Sequence, residues 1–207
     1  MELILSIDCG TQSVRTILFD PKGDMLASAK VSFTPYYSEK PGYAEQDVTV
    51  YYEAICKACA MLKRNYQDLF LQIAGVVVTS QRDTSVIIDK SGTPIRPAIL
   101  WLDQRTASCK LKDHFSLAEI SAYRLVGMDK ISEQVMQKSK AYWIQEHEPQ
   151  NWKKTYKLLL LSGYLNYSLT GQMKDSIGNM IGHLPFSAKT FSYPTNSKNI
   201  SYRQFGV

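Results

Sequence analysis

An α/β domain with a mixed β-sheet flanked by helices is predicted by three features of the sequence. Residues 3–31 hold three short apolar segments separated by turn residues, residues 73–79 form a continuous apolar, β-branched run, and beyond Asp103 apolar residues recur at helical spacing. Strands in quick succession, a helix, a buried strand and then more helices describe a sheet with helices packed on it.

Composition sets the outer limits. The chain has 207 residues, 44% of them hydrophobic, and a formal net charge of +5, which excludes disorder as its main state. Its longest apolar stretches, Ile73–Val78 and Leu158–Leu161, fall far short of the roughly 20 residues that cross a bilayer, so no membrane partner is expected. The first residues, Met-Glu-Leu-Ile-Leu, show neither a basic leader nor a cleavage site, and the expected location is the cytoplasm. Residues 151–207 set Lys153, Lys154, Lys157, Lys174, Lys189, Lys198 and Arg203 against the single acid Asp175. These cations are scattered among Tyr, Ser and Asn, so a solvated surface is expected and no nucleic acid. Cys56 and Cys59 form a Cys-x-x-Cys without a second ligand pair, and His114, His147 and His183 stand apart. Buried apolar thiols are expected there, with Cys9 and Cys109 single and no disulfide framework.

The elements follow in order. Leu3–Ile7, Val14–Phe19 and Met25–Val31 read as strands joined by turns at Gly10 and at Pro21-Lys22-Gly23-Asp24. Residues 33–47, with two prolines and a glycine, read as a long loop ending at Asp47, an N-cap for a helix over 48–64 whose face carries Tyr51, Ile55, Cys59 and Leu62. The run 73–79 is expected at the sheet centre, buried on both faces. Ser85–Asp89 and Ala98–Leu102 are further strands around a Lys90-Ser91-Gly92 turn, and helices are expected over 103–112, 117–126, 132–147 and from Leu158 through Leu169.

The chemistry concentrates in Asp8-Cys9-Gly10-Thr11-Gln12-Ser13-Val14-Arg15. A carboxylate ends a strand, a glycine makes the turn, three hydrogen-bonding side chains cross it, and an arginine sits on the returning strand. Backbone N–H groups and hydroxyls in such a turn suit phosphate oxygens, and a single carboxylate suits Mg²⁺. Ser13 and Arg15, two apart, share a strand face. A plain hairpin whose polar side chains satisfy their own turn is the competing reading.

Four segments in order carry a resemblance to a family. Asp8-x-Gly10-Thr11-x-x-x-Arg15 is similar to the first phosphate motif of the FGGY carbohydrate kinases, and Pro41-Gly42-Tyr43-Ala44-Glu45-Gln46-Asp47 to their Pro-Gly-Trp-x-Glu-Gln-Asp segment. Ser80-Gln81-Arg82-Asp83-Thr84, followed by Asp89-x-x-Gly92-x-Pro94-x-Arg96-Pro97-Ala98-Ile99-Leu100-Trp101-x-Asp103-x-Arg105, resembles their sugar-binding region. Ser139–Trp143, His147–Trp152 and Gly163-Tyr164-Leu165 with Leu169-Thr170-Gly171 resemble the helices that follow.

The resemblance implies an actin-like ATPase domain of the ribonuclease H type over residues 1–207, incomplete at its C-terminal end, with a second, nucleotide-closing domain absent from these residues. It implies ATP and Mg²⁺ as cofactors and a small sugar or polyol as substrate, with a second copy of the chain left open as a partner. Asp8 would serve Mg²⁺, Thr11, Gln12, Ser13 and Arg15 the phosphates, and Arg82, Asp83, Trp101 and Asp103 the substrate. Each substrate-side residue has a structural alternative: a surface ion pair for Arg82 and Asp83, core for Trp101, a helix cap for Asp103.

Two departures bear on the substrate. Gln81-Arg82-Asp83-Thr84 resembles the Gln-Arg-Glu-Thr of glycerol kinases with a carboxylate one methylene shorter, and Glu133, Gln134 or Val135 stands where those enzymes carry a substrate tyrosine. The proton-accepting aspartate of the family falls after the segment that Leu184-Pro185-Phe186-Ser187 resembles, hence beyond Val207, so no catalytic base is expected in the chain. The alternative is a catalytically silent actin-like module that binds a sugar or a partner.

Overall fold

The structure, a computed structural model, describes residues 2–180 and Lys189. The Leu184–Ser187 segment, His183, Lys198 and Arg203 lie outside the described residues.

The predicted meander forms as its alternation dictates. Strands β1 (Leu3–Cys9), β2 (Ser13–Phe19) and β3 (Met25–Ser32) pair antiparallel in sequence. Leu3, Leu5, Ile7 and Cys9 are buried while the residues between them face outward, the period of two that a sheet with one covered face requires. Residues 33–47 are not all loop, because Glu45–Gln46 forms the short strand β4. Helix α1 (Thr49–Asn65) starts one residue later than expected, with Val48 and not Asp47 at its N-cap position, while Asp47 Oδ1 accepts the Thr49 amide at 2.9 Å from just outside the helix. Tyr51, Ala54, Ile55, Ala58 and Leu62 make its buried face, packed on β2 and β3. The short α2 (Gln67–Phe70) leads into β5 (Ile73–Ser80), which lies parallel to β1 and gives a mixed sheet of order β3-β2-β1-β5.

The expectation that this last run is a central strand buried on both faces is corrected. Among the described residues β5 is an edge strand, and Val76 and Val77 are each 53% exposed. The doubly buried strand is elsewhere. A second sheet joins β6 (Ser85–Ile88), β7 (Ala98–Ile99) and β8 (Lys157–Leu160) to β4 in the order β4-β7-β6-β8. All four residues of β6 are buried: Val86 and Ile88 join the core that holds α1, whereas Ile87 packs with Ile99, Trp143 and Leu158 on the opposite face.

Several helix boundaries also differ. Residues 103–110 are not helical and have no regular structure; the side chains of Asp103 and Arg105 are drawn into a buried ionic cluster instead. The helices that follow are α3 (Leu111–His114), α4 (Leu117–Leu125), α5 (Asp129–Lys138) and α6 (Lys140–His147). The single helix expected over 132–147 is therefore broken, at Ser139, whose ψ of 124° is extended. After α7 (Pro149–Lys154), Leu158–Leu160 belong to β8, because they pair with β6, and helix begins only with α8 (Leu161–Thr170). Helix α8 packs on β5, β6 and β8 and so ties the two sheets together. Of the two cysteines expected to be buried, Cys59 is half-buried and Cys56 is exposed; the fully buried one is Cys9, whose thiol burial and the neighbouring Asp8 push up to about 12.

Candidate active site

The parallel pairing of β1 with β5 creates the site. Its register sets Asp8 beside Thr79 and Cys9 beside Ser80, so both strands end at the same level, where an open α/β sheet presents its ligand-binding crevice. On the other side, the antiparallel register sets Asp8 opposite Arg15, and Arg15 opposite Lys30. A polar row therefore crosses the sheet: Thr79, Asp8, Arg15 and Lys30. Asp8 is exposed, and Thr79 Oγ1 lies 3.5 Å from its Oδ1.

The turn after β1 closes with the Gly10 amide donating to the Ser13 carbonyl at 3.0 Å. Gly10 does not have a positive φ, and a Cβ there would meet only Ser13 O, at 3.5 Å. Neither backbone strain nor internal packing asks for glycine, so what glycine provides is a clear open side to the turn. Gln12 and Arg15 are exposed and Ser13 is half-buried, all within one turn of Asp8.

The segment after β5 turns back across this feature. Gln81 N donates to Cys9 O at 3.2 Å, extending the parallel ladder by one residue. Asp83 has φ 59°, the one non-glycine with positive φ among the described residues. Aspartate tolerates that region better than most residues, yet the conformation costs energy and recurs at functional turns. Trp101 is 55% exposed, so it is not core. Its indole N–H donates to Thr11 Oγ1 at 3.2 Å and its backbone N–H to Thr84 Oγ1 at 3.3 Å, which stands the ring beside the phosphate-type turn.

Asp103 is placed differently from the expectation that it meets substrate or caps a helix. No helix starts there, and its side chain is fully buried, at 0% exposure. Its Oδ2 accepts the Ala44 amide at 2.7 Å and the Arg105 Nε–H at 2.9 Å, with Arg105 Nη2 2.7 Å away as an ion pair, while Lys140 Nζ lies 3.4 Å from its Oδ1. Arg105, 1% exposed, also pairs with Glu45 at 2.7 Å, and Glu45 and Glu148 both pair with Arg96. The Arg105 guanidinium sits in the corner between two perpendicular rings, its carbon 3.8 Å from the ring centre of Tyr43 and 4.4 Å from that of Trp143. The Pro-Gly-Tyr segment, the Trp101 loop and α6 are thus fastened together behind the candidate site.

Burial opposes the charged form of Asp103, but the bonds from Arg105 and the Ala44 amide, with Lys140, outweigh it and hold its pKa below the ordinary value. A carboxyl depressed in the folded state contributes its full stabilisation above its unfolded pKa of about 3.9 and loses it as pH falls through the lower folded value. Urea midpoints should therefore fall below about pH 4, and Asp103→Asn should flatten that decline while lowering stability at neutral pH.

Sequence reasoning missed three residues of this region. Gln81 and Tyr51 were read as motif and core, although they bond each other at 3.0 Å beneath the turn. Lys140, inside the helix expected over 132–147, is half-buried beside Asp103 and within electrostatic reach of Asp83. Only a signal from outside the local pattern, a lysine opening an otherwise buried Ala-Tyr-Trp-Ile run, marks it.

Among the described residues there is no group of three or more His, Cys, Asp or Glu side chains that could hold a metal ion, and no helix long and apolar enough to cross a membrane. Comparison with known proteins adds four findings. Residues 3–185 match the model of the N-terminal domain of the FGGY family of carbohydrate kinases. The chain is 30% identical over 195 residues to a xylulose kinase of Staphylococcus xylosus, covering 94% of this chain and 39% of that protein. It is 30% identical over 194 residues to a glycerol kinase of Thermococcus onnurineus, covering 92% of this chain and 38% of that protein. The crystal structure of xylulose kinase from Rhodospirillum rubrum has the same fold, with a TM-score of 0.77 at 22% identity over 93% of this chain and 39% of that one. The chain thus spans about two fifths of the length of the relatives it matches.

Proposed function

Since the chain belongs to the FGGY family of carbohydrate kinases and has their actin-like α/β fold, we propose that it supplies the phosphate turn and the substrate wall for ATP-dependent phosphorylation of a sugar or polyol. The observation that carries this reading is the β1–β5 register, which sets Asp8 beside Thr79 and Cys9 beside Ser80, so that the turn after β1 and the segment after β5 leave the sheet at the same end.

The roles follow from chemistry. The substrate hydroxyl attacks the γ-phosphorus, its bond to the ADP oxygen breaks, and the hydroxyl proton leaves to a carboxylate that we assign outside residues 1–207. Phosphoryl transfer depends on positioning and on stabilising charge. The turn amides, Gln12, Ser13 and Arg15 present donors to phosphate oxygens, and the clear side of Gly10 admits them at close range. Asp8, one exposed carboxylate rather than a cage, fits Mg²⁺ that arrives with phosphates, and when bound the ion neutralises developing charge on them. Arg82 donates to, and Asp83 accepts from, substrate hydroxyls, and Trp101 offers an apolar wall to the carbon face. Asp103 braces the Trp101 loop from behind. The nucleotide-closing domain lies outside these residues, and we place the reaction in the cytoplasm.

The test is ADP release by the protein of the complete reading frame, screened with glycerol, erythritol, pentitols and ketopentoses. Release that depends on at least one of them is expected; none with any of them overturns the kinase reading and favours a silent binding module.

A further inference from the structure

We propose that the cavity where α3, α4 and α5 meet is a second ligand site, apart from the candidate active site, and that it takes the phosphate monoester of a small sugar or polyol. The three helices pack on one another in pairs and leave between them a cavity of about 380 Å³. That is the small end of the roughly 300–1,000 Å³ found for ligand pockets. Its walls are charged. Lys110 and Lys112 come from the start of α3, Arg124 from α4, and Asp129, Lys130 and Glu133 from α5. Leu111 and Ile120, 5% and 7% exposed, make an apolar floor. No residue of the Asp8–Arg15 turn, of the Gln81–Asp83 segment or of the Trp101 loop lines it.

Charge decides the ligand. Four cations face two carboxylates around the cavity, an excess of two positive charges. Among the described residues no ion pair holds any of the four. Cations of a solvated face spread apart, whereas these converge on one concavity from three elements and repel one another until an anion enters. An arginine fork and ammonium groups are what a phosphate dianion requires. The two carboxylates repel a bare dianion, but they accept the hydroxyl protons of a ligand that carries both groups. Glu133 is already set for this, because its Oε2 accepts the Leu111 amide at 3.2 Å, which fixes the carboxylate on the wall. The carbon chain between phosphate and hydroxyls then lies on Leu111 and Ile120. Cations, acids and floor together favour a phosphate joined to hydroxyl-bearing carbons over inorganic phosphate and over the neutral polyol.

The test titrates the 207-residue chain at fixed ionic strength and follows its backbone amide NMR signals. Glycerol 3-phosphate and xylulose 5-phosphate are the probes; inorganic phosphate, glycerol and sodium chloride are the comparators. Both monoesters should move the amides of Leu111, Arg124, Lys130 and Glu133 saturably, with a Kd of about 1 mM or tighter, and inorganic phosphate should bind the cavity about tenfold more weakly. Arg124→Gln and Lys112→Gln should each weaken the monoesters about tenfold. Lys63→Gln, the same loss of charge on α1, should leave the affinity unchanged. All three side chains are exposed, so the fold tolerates each change. Glu133→Gln should narrow the preference for the monoesters, since an amide does not repel the bare dianion. Shifts confined to the Gly10–Arg15 turn, shifts matched by sodium chloride, or an affinity indifferent to Arg124→Gln overturn the site. Inorganic phosphate bound as tightly as the monoesters overturns the choice of ligand. None of these signals depends on phosphoryl transfer, so the site and the kinase reading stand or fall separately.

Discussion

Replacing Arg105 with methionine should destabilise the chain by about 3–5 kcal/mol, read as a lower urea midpoint at unchanged slope. The cause is what the substitution leaves behind. Asp103 is fully buried and Glu45 nearly so, and both depend on this guanidinium at 2.7 Å. Without it two carboxylates remain in a site with little water, compensated only by Lys140 and Arg96. Methionine fills much of the space between Tyr43 and Trp143, so the loss reports charge more than volume. Arg105→Lys should fall between the two, since it keeps the charge but cannot reach both acids with a planar fork. Adding Asp103→Asn to Arg105→Met should recover part of the loss, because the cost of the single change is an uncompensated charge. A near-neutral Arg105→Met would mean that the ionic cluster does not form.

Asp8→Ala should lower turnover of the complete protein by about 10³-fold or more, with stability changed by less than about 1 kcal/mol. The two expectations belong together. Asp8 is exposed and its nearest partner, Thr79 Oγ1, is 3.5 Å away, so the fold gains little from it. The loss should therefore appear in turnover and not in stability. Raised Mg²⁺ should restore part of the activity of Asp8→Asn and none of that of Asp8→Ala, since only the amide keeps an oxygen ligand. An Asp8→Ala variant with unchanged turnover would sink the metal assignment, whatever the substrate proves to be.

Much of this was legible in the sequence. The meander, α1 and the position of the phosphate-type turn follow from alternation, capping and turn residues, all of which act over a few neighbours. The run 73–79 is a strand as its β-branched residues require, but its depth was misjudged: hydrophobicity reports that a residue prefers burial, not whether another strand or layer arrives to bury it. Strand β6, short of notable in sequence, became the doubly buried strand because it is flanked by two cores, Val86 and Ile88 facing one and Ile87 the other.

The same division runs through the site. By itself the sequence determined which chemistry is present, a carboxylate, a glycine turn and an arginine spaced for phosphate, followed by an Arg-Asp pair and a tryptophan, because side-chain chemistry and spacing along a strand are local. Tertiary structure decided which of those groups remain open to a ligand. Asp103 reads like Asp8 or Asp83 in the sequence, yet it is closed off by Arg105, Lys140 and the Ala44 amide, contributed by segments up to 59 residues away. A hydrogen bond or ion pair consumes a donor or acceptor wherever its partner lies along the chain, so what a polar residue has left to offer is known only once the chain has folded.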